Sequence, residues 1–215
     1  MSDDTNGAST IGPVVVDDPV SQRAQTLLDG ERVHDALEYL QDQGEPQNLS
    51  VEAAIVLVSA YRLTGHYSDS LELLRALDHM GHCTEVQTRR LRFEEACLYA
   101  QNGDFEQASG IYSELLSQVP DQPRCLGNLH QIALEVCDWA FAKRIEQRLV
   151  AIANNPNAVG RYYAFRALHK FTIHDDDAAV LAMNRLRAQH VVQGICHEPQ
   201  RGEAAPRPNE RLRIG

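Results

Sequence analysis

At 215 residues the chain is long enough for one substantial domain or a short repeat array, and its 43% apolar content suits a folded protein. With 20 basic and 30 acidic residues the net charge is −10, which argues against a duplex nucleic-acid binder needing a clustered basic face. Nothing approaches the eighteen or so consecutive apolar residues of a membrane span, and the acidic Met1-Ser-Asp-Asp-Thr start does not read as a secretory signal.

Residues 1–18 carry Asp3, Asp4, Asp17 and Asp18 with Pro13, ahead of Pro19, and are expected to be a disordered tail. A first unit reads Leu27-Leu-Asp-Gly30, then Asp35-Ala36-Leu37 and Leu40, with one residue inserted after the glycine. The second reads Tyr61-Arg-Leu-Thr-Gly65-His-Tyr67-Ser-Asp-Ser70-Leu-Glu-Leu-Leu74, and the third Tyr99-Ala-Gln-Asn-Gly103-Asp-Phe105-Glu-Gln-Ala108-Ser-Gly-Ile-Tyr112. Their tyrosine, glycine, aromatic, small and large-apolar positions coincide. Pro120 closes the third pair. A fourth unit runs through Leu126, Leu129, Ala133, Cys137, Trp139, Ala142 and Leu149, with Cys137 where glycine is expected.

Ala36, Ser70, Ala108 and Ala142 mark one structural position, separated by 34, 38 and 34 residues. That period with helix–turn–helix patterning is the tetratricopeptide signature. A glycine ends each first helix in a left-handed cap, and a small residue in the second helix lets the first approach. The four extra residues before unit three are about one helical turn, so Thr84–Gln101 is predicted as a lengthened first helix. The predicted fold is an all-α, tetratricopeptide-like α-solenoid of helix-turn-helix pairs. Four pairs occupy residues 19–153 and a degenerate capping pair 154–193, where Asp175-Asp-Asp177 caps the last helix. Residues 194–215 form a Pro- and Arg-containing linker. It ends in Arg211-Leu-Arg-Ile-Gly215, which reads as the opening of a strand and the start of a missing domain.

The order of repeats, Cys137-Asp138-Trp139, a degenerate pair, a linker and Arg211-Leu-Arg-Ile-Gly215 resembles bacterial SPINDLY-type proteins, relatives of O-linked N-acetylglucosamine transferase. The resemblance covers roughly residues 50–215. It implies that Cys137-Asp138-Trp139 closes the repeat array and that the terminal pentapeptide begins a glycosyltransferase region. The two sugar-nucleotide-binding lobes would follow Gly215, so no catalytic residue, cofactor or metal carries over, and this chain alone is expected not to be an enzyme. Relatives line their superhelix with asparagines. Here only Asn128 matches, with Val56 and Glu94 at the equivalent positions of units two and three.

The first helices are expected to build a concave, peptide-binding wall, since stacked pairs make an extended concave surface. Unit two gives it Glu52, Ile55, Ser59 and Arg62; unit three Arg90, Phe93, Glu94, Cys97 and Gln101; unit four Arg124, Asn128, Gln131 and Glu135. The candidate groove residues are Arg62, Arg90, Phe93, Glu94, Arg124, Asn128 and Gln131. Arg90, Arg124 and Asn128 together could hydrogen-bond an extended peptide or its carboxylate. His79-Met-Gly-His82-Cys83 gathers three potential metal ligands, but no second cluster completes a tetrahedral set, and it reads as a loop. Trp139 reads as a core anchor between units. No GxxxxGK[ST] or GxGxxG loop occurs. Five cysteines without a CxxC pair read as free buried thiols in a reducing cytoplasm. The function expected is a partner-presenting, non-catalytic scaffold in the cytoplasm, free of nucleic acid and membrane, with self-association left open. The alternative is a free-standing peptide-binding adaptor or chaperone.

Overall fold

The computed structural model describes residues 18–155 apart from position 82, together with positions 158, 160, 161, 163, 164, 167, 168, 185 and 188. Positions 1–17 of the tail expected at 1–18, most of the expected capping pair, the Asp175–Asp177 turn, the linker and Arg211–Gly215 lie outside the described residues, while Asp18 belongs to the folded array as the cap of its first helix. Within them the chain is all-α, with no strand.

Helices α1 (Pro19–Asp29) and α2 (Val33–Asp42) form the first pair, and a 3-10 turn (Pro46–Asn48) leads on. The second pair is α3 (Val51–Leu63) and α4 (Tyr67–Met80). The third is α5 (Glu85–Gln101) and α6 (Phe105–Gln118), and the fourth α7 (Pro123–Glu135) and α8 (Trp139–Asn154). Each second helix packs on its own partner, and α2, α4 and α6 also pack on the first helix of the next pair. The first helices α1, α3, α5 and α7 touch one another in series, which makes the array an α-solenoid.

Among the described residues six of the eight helix starts carry a side-chain cap, whereas α2 and α4 begin at Arg32 and His66 without one. Asp18, Ser50, Gln122 and Asp138 accept from the amides of Val20, Ala53, Cys125 and Phe141. Thr84 and Gln87 complete a reciprocal capping box ahead of the long α5. The Ser50 hydroxyl also donates to the Asp18 carboxylate, tying the starts of α3 and α1 together.

All four pairs turn in the same way. A residue in the left-handed region ends each first helix: Glu31 (φ 62°), Gly65 (φ 85°), Gly103 (φ 81°) and Cys137 (φ 59°). The amide after it donates back to the carbonyl five residues earlier, from Arg32 to Leu27, His66 to Tyr61, Asp104 to Tyr99 and Asp138 to Ala133. This is the Schellman closure, which satisfies otherwise orphaned carbonyls. In the first unit it falls on Glu31, whereas Gly30 keeps a negative φ of −78°. The inserted residue expected there is therefore not an insertion: the left-handed residue precedes Ala36, Ser70, Ala108 and Ala142 by five positions every time. Those four small residues are buried, and Ser70 also donates its hydroxyl to the Val58 carbonyl at 2.9 Å.

Three apolar clusters follow the pairs. One joins α1, α2 and α3, the second α3, α4 and α5, and the third α5 through α8. α3 belongs to two of them and is buried from Glu52 to Val58, so the helix is nearly apolar all round. Ala164 and Leu168, one turn apart, are buried in the third cluster, so chain beyond α8 covers the fourth pair.

Trp139 does not anchor the core. It is 64% exposed, at the first position of α8, where the side chain projects from the turn instead of into the pair. Cys137 is exposed as well, whereas Cys97 and Cys125 are buried and Cys83 is half-buried; Cys196 lies outside the described residues.

Two substitutions at repeat-defining positions should have opposite signs. Cys137→Gly relieves a left-handed β-carbon clash of about 1–2 kcal/mol and costs about 0.5–1 kcal/mol in unfolded-chain entropy, for a net gain near 0.5–1 kcal/mol. Ala108→Leu, at a fully buried site against α5, should lose about 1–3 kcal/mol by overpacking. Urea unfolding followed by circular dichroism reads both.

Candidate functional site

The site is built where the first helices lie side by side. α5 sits between α3 and α7, and the residues it turns toward them are polar in a setting that excludes water. Glu94 is 3% exposed and Arg62 8%, and Arg62 Nε donates to Glu94 Oε2 at 2.7 Å from α3 to α5. Burial pushes the Glu94 carboxyl up, but Arg62, then Arg124 and the hydrogen bonds from Arg62 and Ser59 outweigh it and hold the group below its ordinary range. Burial likewise pulls the Arg62 guanidinium down, and Glu94 more than restores it, so its pKa is raised. Both partners are therefore fully charged at neutral pH.

On the α7 side, Arg124 places its guanidinium carbon 4.5 Å above the Phe93 ring and 5.5 Å from the Tyr163 ring. It is half-buried and, among the described residues, forms no ion pair. One turn along α7, Asn128 Nδ2 donates to the Tyr112 hydroxyl at 2.8 Å and lies 3.4 Å from Cys97 Sγ. The Tyr112 hydroxyl in turn donates to Cys97 Sγ at 3.2 Å. Burial, then the neighbouring Cys97, raises the Tyr112 phenol far above its usual value. Burial also raises the Cys97 thiol, and pushes Cys125 up to about 12 with Cys97 adding to it.

A second polar group sits nearer the helix starts. Arg90 pairs with Glu52, itself 5% exposed, and reaches Gln25 at 3.5 Å, while Gln87 donates to the same Glu52 at 3.0 Å. Of the seven candidate groove residues the structure thus joins Arg62, Phe93, Glu94, Arg124 and Asn128 in one connected group. Arg90 belongs to the other group, turned toward α1 and α3. Gln131 is half-buried further along α7.

The expected open polar wall is in large part a closed seam. Ile55, Phe93, Glu94 and Cys97 are buried, and the flanking Gln101 and Glu135 at the helix ends are exposed. The reason is geometric: adjacent first helices pack close enough that side chains assigned to solvent meet the neighbouring helix. Tyr112 gives no polar signal in the sequence because it occupies the large-apolar position shared with Leu74. Its hydroxyl is the one polar atom that position carries, and a buried tyrosine needs a partner. Position 82 lies outside the description, and among the described residues no group of three His, Cys, Asp or Glu side chains could hold a metal ion.

Fold and site together define an all-α helical-repeat protein whose first helices are stitched by buried ion pairs and hydrogen bonds. No protein-family model matches the chain, and no curated protein matches it significantly. No helix among the described residues is long and apolar enough to cross a membrane.

Truncating Arg62 to Ala should destabilise by about 3–5 kcal/mol, because Glu94 is left charged and buried. The depressed Glu94 pKa makes its contribution present above the unfolded value near 4.5 and lost as pH falls through the folded one. Urea titrations from neutral pH to below pH 4.5 should therefore show a steeper acid loss for wild type than for Glu94→Gln.

Thiol labelling of the native protein should reach Cys137 first and Cys83 slowly. Burial, then Asp78 and Glu52, raises the Cys83 thiol. Cys97 and Cys125 should label only after denaturation, since little thiolate is present and access is blocked. Peptide mapping by mass spectrometry checks the order.

Proposed function

We propose that this chain is a non-catalytic, partner-presenting module of tetratricopeptide type, resembling the N-terminal half of a SPINDLY-type glycosyltransferase. Its ligand lies along α5 and α7 and is anchored by Arg124. The repeated Schellman turn, at separations of 34, 38 and 34 residues with a small residue five positions on, supports the repeat class.

Arg124 carries the ligand reading. Most cations of the first-helix face are already committed to carboxylates. Arg124 is held by two aromatic faces, which fix its plane while leaving its N–H edge to a planar acceptor. A peptide carboxylate, at a chain end or on an Asp or Glu side chain, is the group of matching geometry. Gln131 and Glu135, further along α7 on the more exposed half, are placed to meet the rest of an extended chain.

Arg124→Gln, which removes the cation without setting a second carboxylate near buried Glu94, should abolish binding of peptides selected on the wild-type protein from a displayed library, with helicity retained. Selected sequences should be rich in carboxylates, and titration with a nucleotide sugar should give no saturable heat. Selection of the same peptides by Arg124→Gln would sink the assignment. Arg90→Glu is not an equivalent test, because it sets a second carboxylate against buried Glu52 and should cost stability.

A further inference from the structure

The pairs of the array are alike in backbone but differ in how they close the furrow between first and second helix, and the second pair leaves it open. Six residues beyond the small marker, α6 carries Glu114 and α8 carries Arg148, whereas α4 carries Ala76. Eleven residues before the left-handed turn, α5 carries Arg92 and α3 carries Ala54. In the third pair Arg92 donates to Glu114 at 3.2 Å and bridges the furrow. In the fourth, Arg148 reaches down to the Pro120 carbonyl and to Asp121 at 3.1 Å, closing onto the connector that precedes α7. Ala54 and Ala76 can do neither. The result is a cleft of about 430 Å³ with α3 as floor, α4 as one wall and the Pro46–Asn48 turn as the other.

The cleft has a direction. Near the end of α4 it is apolar, with Leu49, Val51, Leu77 and the half-exposed Met80. Toward the start of α4 it is acidic, with Asp69 and Glu72, and among the described residues no basic side chain lines it. From Asp69 to Met80 is eleven residues, or roughly 16 Å at about 1.5 Å per residue, the length of three helical turns. A flexible methionine at the rim suits an adaptable apolar contact.

We propose that this cleft between α3 and α4 is a docking groove for an amphipathic helical segment of another protein. The segment's apolar face rests on Leu49, Leu73, Leu77 and Met80, and a Lys or Arg at its end pairs with Asp69 and Glu72. The charge of −10 on the whole chain steers a basic segment toward it. The groove is separate from the Arg124 site, and neither assignment depends on the other.

The test is fluorescence anisotropy on the full chain with a labelled Ala-based peptide of about fourteen residues. It carries leucines at i, i+3, i+4 and i+7 and two arginines at one end, in both polarities, beside a counterpart ending in glutamates. The arginine peptide should saturate at one per chain in one polarity, and the glutamate peptide should bind at least about tenfold more weakly. Ala76→Arg installs the bridging side chain found in the fourth pair and should weaken binding by about tenfold or more. Glu72→Lys should weaken it too, while Arg124→Gln should leave it unchanged. Both groove positions are exposed, and far-UV circular dichroism checks that the variants fold. Absence of saturable binding, equal affinity for the glutamate peptide, or unchanged affinity in Ala76→Arg overturns the proposal. Self-association that Ala76→Arg abolishes and the peptide blocks would assign the groove to a second copy of the chain and overturn it equally.

Discussion

Everything in this array depends on one backbone constraint, a single left-handed residue between the two helices of each pair. It reverses the chain in three residues, returns an orphaned amide to the carbonyl five residues back, and starts the second helix in a fixed orientation. The fifth residue after it then meets the first helix at close range, which is why that position is Ala or Ser in all four units. Two units meet the constraint with glycine, whose missing β-carbon makes it free; at Gly65 and Gly103 an added Cβ would meet no atom within 4 Å. The cost of replacing them is therefore purely one of backbone conformation. Glu31 and Cys137 adopt the same conformation with a side chain attached, so packing on either side of the turn must override local preference.

Between pairs the constraint is polar. Arg62 with Glu94, and Arg90 with Glu52, span α3 and α5, and each leaves at least one charge almost without water. Such pairs add little net stability, since desolvation offsets attraction, but separating them is expensive. Sliding α5 along α3 by one turn would strand both buried carboxylates. The ion pairs therefore act as register pins in an interface whose apolar contacts alone tolerate slippage. Between α5 and α7 the same task falls to Asn128, Tyr112 and Cys97 and to the stacked Arg124, a softer set with no ion pair inside it.

These two layers explain how one fold carries unlike surfaces. The turn and the small residue fix the backbone, which leaves outward positions of the second helices free to vary. Glu114 and Arg148 use that freedom to bridge to neighbouring elements, and Ala76 to leave space.

The sequence by itself determined the helices, their pairing and the period. Gly65 with Ser70 and Gly103 with Ala108 report a local event, the left-handed turn and the close approach behind it, and local events leave fixed spacings. The four extra residues before the third unit announced the long α5 for the same reason. In the first unit, where a glycine stands beside the turn residue, the signal slipped and Gly30 drew attention from Glu31, because only the folded backbone shows which of two adjacent residues turns left-handed; Cys137 kept its place in the spacing. The site was half legible. The spacing gathered Arg62, Glu94, Phe93, Arg124 and Asn128 on the first helices, but whether that face opens to solvent or closes against its neighbours depends on the distance between helices. That distance is set by the sum of all side chains between them and has no marker in any one segment. Only the tertiary structure therefore decided that Glu94 is buried and paired, that Tyr112 joins the network from a second helix, that Trp139 stands in solvent, and that Ala54 and Ala76 face each other across an open cleft.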